Sequence, residues 1–132
     1  MEEEIDYPSK KALLVEDNIM NVKLFSLLLK RVGIQFDIAT DGEQAMDLFN
    51  INHYDLILTD IHLPQLSGDE MAKLMRDDED PIKSKTPIVA LTASILTSEI
   101  GSYLQTGIDE VLIKPFTEEK FKETLKKHLA RR

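Results

Sequence analysis

Five residues of this chain have side chains and spacing that suit one shared chemistry: the adjacent pair Glu16-Asp17, the isolated Asp60, Thr92 and Lys114. Each stands at the end of a short apolar run. If the five converge, three carboxylates at close range repel one another until a cation neutralises them. Hard, oxygen-only ligands select Mg²⁺ or a similar ion such as Mn²⁺. Lys114 adds a compact positive charge and Thr92 a hydroxyl donor, the electrostatic clamp that phosphoryl oxygens need beside a metal. A carboxylate can itself be the nucleophile and form an aspartyl phosphate. Asp60 is the candidate because it stands alone, whereas Glu16 and Asp17 form a pair suited to the ion.

The elements that must position these residues follow from two alternating periodicities. Ala12–Val15 is an apolar run, and Val22, Phe25, Leu28 or Leu29 and Val32 then recur at helical spacing until Gly33. Gln35–Thr40 reads as a strand broken by Asp41-Gly42, and Glu43–Asn50 as a helix. Leu56–Thr59 is the next strand. A third helix around Met71, Leu74 and Met75 follows the breakers Pro64 and Ser67-Gly68, and Asp77–Thr86 is a polar surface loop containing Pro81. Pro87–Leu91 and Val111–Ile113 are strands, with helices at 98–105 and 117–130. Apolar runs alternating with helices, without hairpin signals, mean βα units and a parallel sheet covered on both faces. Ligands of such sheets bind outside the carboxyl ends of the strands, where the five residues stand.

Composition narrows the classes. The 132 residues make one domain, and the 42% hydrophobic content is enough for an ordinary core. The net charge of −8 opposes a nucleic-acid surface, which needs clustered positive charge. The absence of cysteine excludes disulfides, thiolate nucleophiles and cysteine-ligated metals. No apolar run reaches the ~18–20 residues that span a bilayer, and the acidic start Met1–Asp6 is unlike a secretory signal. Cytosolic exposure is the default expectation, and the cytosolic part of a membrane-bound protein would read the same.

Taken in order, Leu14-Val15-Glu16-Asp17-Asn18, Asp60-Ile61-His62-Leu63-Pro64 with Gly68, Pro87 to Ala93 and Lys114-Pro115-Phe116 resemble the receiver domain of two-component response regulators. The likeness covers about residues 11–130. The Glu-Asp-Asn start, with Asn21 following, is most similar to receivers of hybrid sensor histidine kinases. The resemblance implies a flavodoxin-like (βα)5 doubly wound α/β fold with strand order 2-1-3-4-5, with 1–9 as a leader or linker and 10–132 as the receiver. It implies that Asp60 accepts a phosphoryl group from a histidine of a sensor kinase or phosphotransfer protein. Asp17, Asp60 and the backbone carbonyl of His62 would hold Mg²⁺ (or Mn²⁺), with Glu16 acting through water. Thr92 and Lys114 would contact the phosphoryl oxygens, Lys114-Pro115 would be a cis peptide, and His62 and Ser94 would tune dephosphorylation. Such a domain takes part in phosphotransfer and self-dephosphorylation as a signalling element rather than as an enzyme. The family usually has Tyr or Phe three positions before the lysine, whose ring turns inward as the threonine moves; here that position is Val111.

Apolar residues beside the acidic pocket, Ile19, Met20, Val22 and Pro115-Phe116, are expected to dock the donor. Each motif also has a plainer reading alone. Glu16-Asp17 suits a helix N-terminus, Asp60 a turn, Thr92 a cap and Lys114 a solvated surface. Met46, Met71 and Met75 read as core filler, and His53 and His128 as surface histidines. Two other functions fit the residue types. A Mg²⁺-dependent phosphohydrolase with an aspartyl nucleophile usually has a second Asp two residues on, where His62 stands. A non-phosphorylated scaffold would usually lack one of the acidic pair, Asp60, Thr92 or Lys114, and all are present.

Overall fold

The computed structural model describes residues 5–93 and 97–130. After a 3-10 turn at Tyr7–Ser9, the elements are β1 (Lys11–Val15), α1 (Ile19–Val32), β2 (Gln35–Ala39), α2 (Gly42–Ile51), β3 (Leu56–Asp60) and α3 (Gly68–Arg76). A second 3-10 turn at Lys83–Lys85 leads to β4 (Ile88–Thr92), α4 (Thr97–Gln105), β5 (Glu110–Ile113) and α5 (Glu118–Leu129). All paired strands are parallel, in the order β2-β1-β3-β4-β5. This is the doubly wound, flavodoxin-like sheet expected from the sequence. Boundaries differ from the expected ones by one or two residues, the usual fraying of element ends.

The central strands β1, β3 and β4 are apolar through most of their length because both faces are covered, whereas the edge strand β2 carries Gln35 and Asp37 and is only partly buried. Successive side chains point to opposite faces, so β1 sends Leu13 and Val15 into one core and Ala12 and Leu14 into the other. The first core is closed by Phe49 of α2, Met71 and Met75 of α3 and Tyr103 of α4. The second is closed by Phe25 and Leu29 of α1 and by Phe121, Leu125 and Leu129 of α5. Met71 and Met75 are fully buried and Met46 packs against the first core, as core filler should.

Helix starts are fixed by side chains that take up otherwise orphaned N–H groups. Asn18 Oδ1 accepts from the N–H of Met20 (3.0 Å) and Asn21 (3.1 Å). Asp41 caps α2 through Gln44 N–H at 2.7 Å, and Thr117 caps α5 through Lys120 N–H at 3.0 Å. Gly33 ends α1 at φ 92°, a left-handed conformation that glycine adopts without steric cost.

Three features lie outside the sequence expectation. Ile5 and Tyr7 pack against the second core and Pro8 O accepts from Gln35 Nε2 at 2.6 Å, so the chain is attached to the sheet edge before β1 begins. The loop after α3 is pinned by Arg76, whose guanidinium donates to Ser84 O, Thr86 O, Gly107 O and the Asp109 carboxylate at 2.7–2.9 Å. His128, expected on the surface, is buried (2% exposed), with Nε2 2.8 Å from Glu110 Oε1. Helical spacing puts it on the same side of α5 as Leu125 and Leu129, over the start of β5, whereas His53 is exposed. Among the described residues no helix is long and apolar enough to cross a membrane.

Candidate functional site

Strand register assembles the site. Val15 pairs with Thr59, which sets Glu16 level with Asp60. Asp60 pairs with Leu91, so Thr92 stands one residue beyond it, and Thr92 pairs with Ile113, so Lys114 stands one residue beyond that. The Lys114 N–H closes the row by donating to Thr92 O at 2.7 Å. Four residues far apart in sequence therefore share the carboxyl rim of three adjoining strand pairs.

Glu16, Asp17 and Asp60 each bring a carboxylate oxygen within 4.8 Å of the others. Their environments differ: Glu16 is fully buried, the Asp60 side chain 15% exposed, and Asp17 faces solvent. Lys114 Nζ lies 3.3 Å from Glu16 Oε1 and 3.8 Å from Asp60 Oδ2, one cation against three acids. Burial pushes the Glu16 carboxyl above its ordinary value and the Asp60 charge adds to this, while the Asn18 N–H and Lys114 pull the other way. A second positive charge is what the cup lacks electrostatically, and its donors are all oxygen, so a hard divalent ion fits.

Several local devices hold Asp60 in place. Its Oδ1 accepts from His62 N–H at 3.4 Å. Gly68 N–H donates to Ile61 O at 2.8 Å, and a β-carbon at Gly68 would collide with the backbone carbonyl of Asp60. Only glycine lets the first turn of α3 close beneath the acid. Lys114 is steered by aromatic rings: its Nζ sits 5.6 Å from the Phe25 centroid, and Phe25, Phe116 and Phe121 form a continuous stack with centroids 5.7 and 5.8 Å apart. The Lys114-Pro115 peptide is cis.

The remaining expected residues fall around this cup. Thr92 is buried at the end of β4, and His62 is exposed beside Asp60. Ser94 lies outside the described residues. Ile19 and Met20 open α1 next to Asp17 and are 68% and 69% exposed, Val22 is half-buried, and Pro115 and Phe116 flank Lys114. A cleft of about 380 Å³ between α1 and the β5–α5 connection is lined by Asn21, Leu24, Phe25, Ala93, Lys114 and Pro115, with Phe116 at its edge. Leu24 and Leu27, also about half exposed, were not singled out in the sequence. The available signal was an excess of apolar residues: Met20, Leu24 and Leu27 form a second helical stripe beside the core stripe of Phe25, Leu28 and Leu29.

Known proteins match this chain along almost its full length. The family model of the response regulator receiver domain matches residues 12–126. The polar-differentiation response regulator DivK of Brucella ovis is 36% identical over 121 residues, covering 92% of this chain and 97% of DivK. The receiver domain of sensor histidine kinase PA1611 from Pseudomonas aeruginosa PAO1, crystallised with a magnesium ion in its active-site cleft, superposes with a TM-score of 0.85. It is 32% identical, over 92% of this chain and 98% of that one. The receiver of Saccharomyces cerevisiae Ssk1, solved with the histidine phosphotransfer protein Ypd1, gives a TM-score of 0.85 at 29% identity, over 94% of this chain and 91% of that one. With its sheet order, its rim of acids and lysine and this match in hand, the chain belongs to the response regulator receiver domains of two-component signalling.

Proposed function

We propose that Asp60 is the phosphoacceptor and takes its phosphoryl group from a phosphohistidine on a sensor kinase or phosphotransfer protein. The observation that carries this is the meeting of three carboxylates within 4.8 Å, with Lys114 Nζ 3.8 Å from Asp60. An Asp60 oxygen attacks phosphorus, the N–P bond of the donor breaks as the O–P bond forms, and the departing imidazole leaves neutral or takes up a proton. Asp17, Asp60 and the His62 carbonyl would hold Mg²⁺, with Glu16 acting through water. The ion supplies neutralisation of the charge that gathers on the phosphoryl oxygens. Lys114 and Thr92 contact those oxygens from the other side. Buried Glu16 keeps Lys114 aimed into the cup, so the ammonium is in place before the donor arrives.

Ile19, Met20, Val22, Pro115 and Phe116 form the apolar border on which helices of the donor dock, and His62 with Ser94 sets the rate at which the acyl phosphate is hydrolysed. The magnesium of the PA1611 receiver and the Ypd1 partner of the Ssk1 receiver support these assignments by likeness. The hydrolase reading is weaker because an exposed His62 stands where a second Asp would act as acid–base. Because phosphohistidine donors are charged from ATP, the domain works in the cytoplasm, alone or within a hybrid kinase. Incubation with acetyl phosphate and Mg²⁺ tests the assignment by intact-mass spectrometry. One phosphoryl adduct, absent in Asp60→Asn and absent with EDTA, is expected. An adduct that persists in Asp60→Asn, or multiple turnover of an unrelated phosphomonoester, would refute it.

A further inference from the structure

Val111 offers no ring near the acceptor, yet a tyrosine whose ring is largely buried stands in the core beneath it, supplied by a different element. Tyr103 of α4 is 9% exposed and sits in the first core with Ile61 and Leu63, one and three residues after Asp60, and with Met71, Ala90 and Ile108. Val111 packs against the same cluster. The Tyr103 hydroxyl shares a hydrogen bond with Glu99, one helical turn earlier, and Asp69 and Asp60 are close enough for their charges to act on it. Burial, Glu99, Asp69 and Asp60 together hold the phenol above its ordinary range, so its proton stays on and the group remains a donor. One neutral donor is thus placed among three carboxylates, one of which is the acceptor.

We propose that Tyr103 couples the phosphorylation state of Asp60 to the first turn of α4, its hydroxyl giving up Glu99 when the acceptor gains a phosphoryl group. This rests on Asp60 being the acceptor. A phosphoryl group replaces one carboxylate charge with a more negative group carrying three strong acceptor oxygens. It competes for the Tyr103 O–H and repels Glu99, both in the direction that parts Glu99 from Tyr103. Glu99 belongs to the first turn of α4, and Leu104 beside Tyr103 is 44% exposed. The charge at the rim is thereby displayed on the surface of α4. Tyr103 is a coupling residue; it takes no part in forming the acyl phosphate.

The full chain labelled with 3-fluorotyrosine carries three reporters, at Tyr7, Tyr54 and Tyr103. Tyr103→Phe assigns its own ¹⁹F resonance by loss of one line, keeping the ring in the core. Acetyl phosphate with Mg²⁺ should move the Tyr103 line and leave that of Tyr54, whose hydroxyl is fixed 2.7 Å from Asp37 on the edge strand β2. The movement should vanish in Asp60→Asn. In Tyr103→Phe the phosphoryl adduct should still form, but the change in amide exchange of α4 on phosphorylation should be lost. An adduct with an unmoved Tyr103 line, or an α4 response retained in Tyr103→Phe, overturns the coupling while leaving the acceptor assignment intact. Absence of any adduct overturns the acceptor assignment and the coupling with it.

Discussion

The three carboxylates of the cup are unequal, and burial is what separates them. Asp17 is exposed, Asp60 partly covered and Glu16 fully buried with Lys114 as its ion-pair partner. Residue type and place in the sequence marked all three as acids at strand ends, but no spacing rule shows which of two adjacent acids turns inward. Asp17 is free to meet an ion from solvent, whereas Glu16 is committed to the Asn18 N–H and to Lys114. With no cation besides Lys114 the cup holds excess negative charge, which costs stability. Asp60→Asn should therefore be more stable than the parent in EDTA, by on the order of 1 kcal/mol. Added Mg²⁺ should raise the melting temperature of the parent more than that of the variant, since ligand binding to the native state stabilises it. A variant less stable in EDTA would show that the acids do not crowd one another.

Helices and strands deliver these residues through caps and register. Asn18 ends the β1 rim and begins α1, so one residue fixes both the acidic pair and the helix that carries Ile19 and Met20. Asn18→Ala should cost about 1 kcal/mol of stability, the usual worth of such a cap, read as a shift in urea midpoint. Its backbone N–H to Glu16 survives the change, so phosphorylation by acetyl phosphate should continue. At the opposite end of the molecule, α5 is fastened to β5 by Glu110, His128 and Lys127. Burial pushes the Glu110 carboxyl up, but the His128 hydrogen bond and the Lys127 contacts outweigh it and hold the group below its ordinary 4.5. A carboxyl lowered in this way stabilises the fold above its unfolded value and loses that contribution as the pH falls through the folded one. Glu110→Gln should lower the melting temperature near neutrality, and the gap should start to narrow as the pH drops below about 4.5 and close once it is below the lowered folded value. A gap that is constant across this range would deny the pairing. Neither the burial of His128 nor the Arg76 clamp was legible in the sequence, because each depends on elements far apart in the chain meeting at one place.

At the scale of the whole molecule, the acidic cup opens onto an apolar border on a protein of net negative charge. Ile19, Met20, Leu24 and Leu27 leave α1 exposed beside the cleft that Phe116 edges. Ile19→Glu should slow transfer from a phosphohistidine donor roughly tenfold, the effect of losing about 1.4 kcal/mol of contact. Labelling by acetyl phosphate, which needs no docking, should be unchanged; equal rates from the protein donor in both forms would remove α1 from the interface. By itself the sequence determined the alternation of strand and helix, the parallel sheet and the acids, hydroxyl and lysine at the strand ends. Those properties are local: periodicity and chain breaks are written residue by residue. Only the tertiary structure decided that Glu16 and not Asp17 is buried, that His128 pairs with Glu110, and that Tyr103 of α4 packs in one core with Ile61 and Leu63 of the loop after Asp60. Each of these depends on distances between segments remote in the chain, which are set when the two cores close over the sheet and which local pattern does not encode.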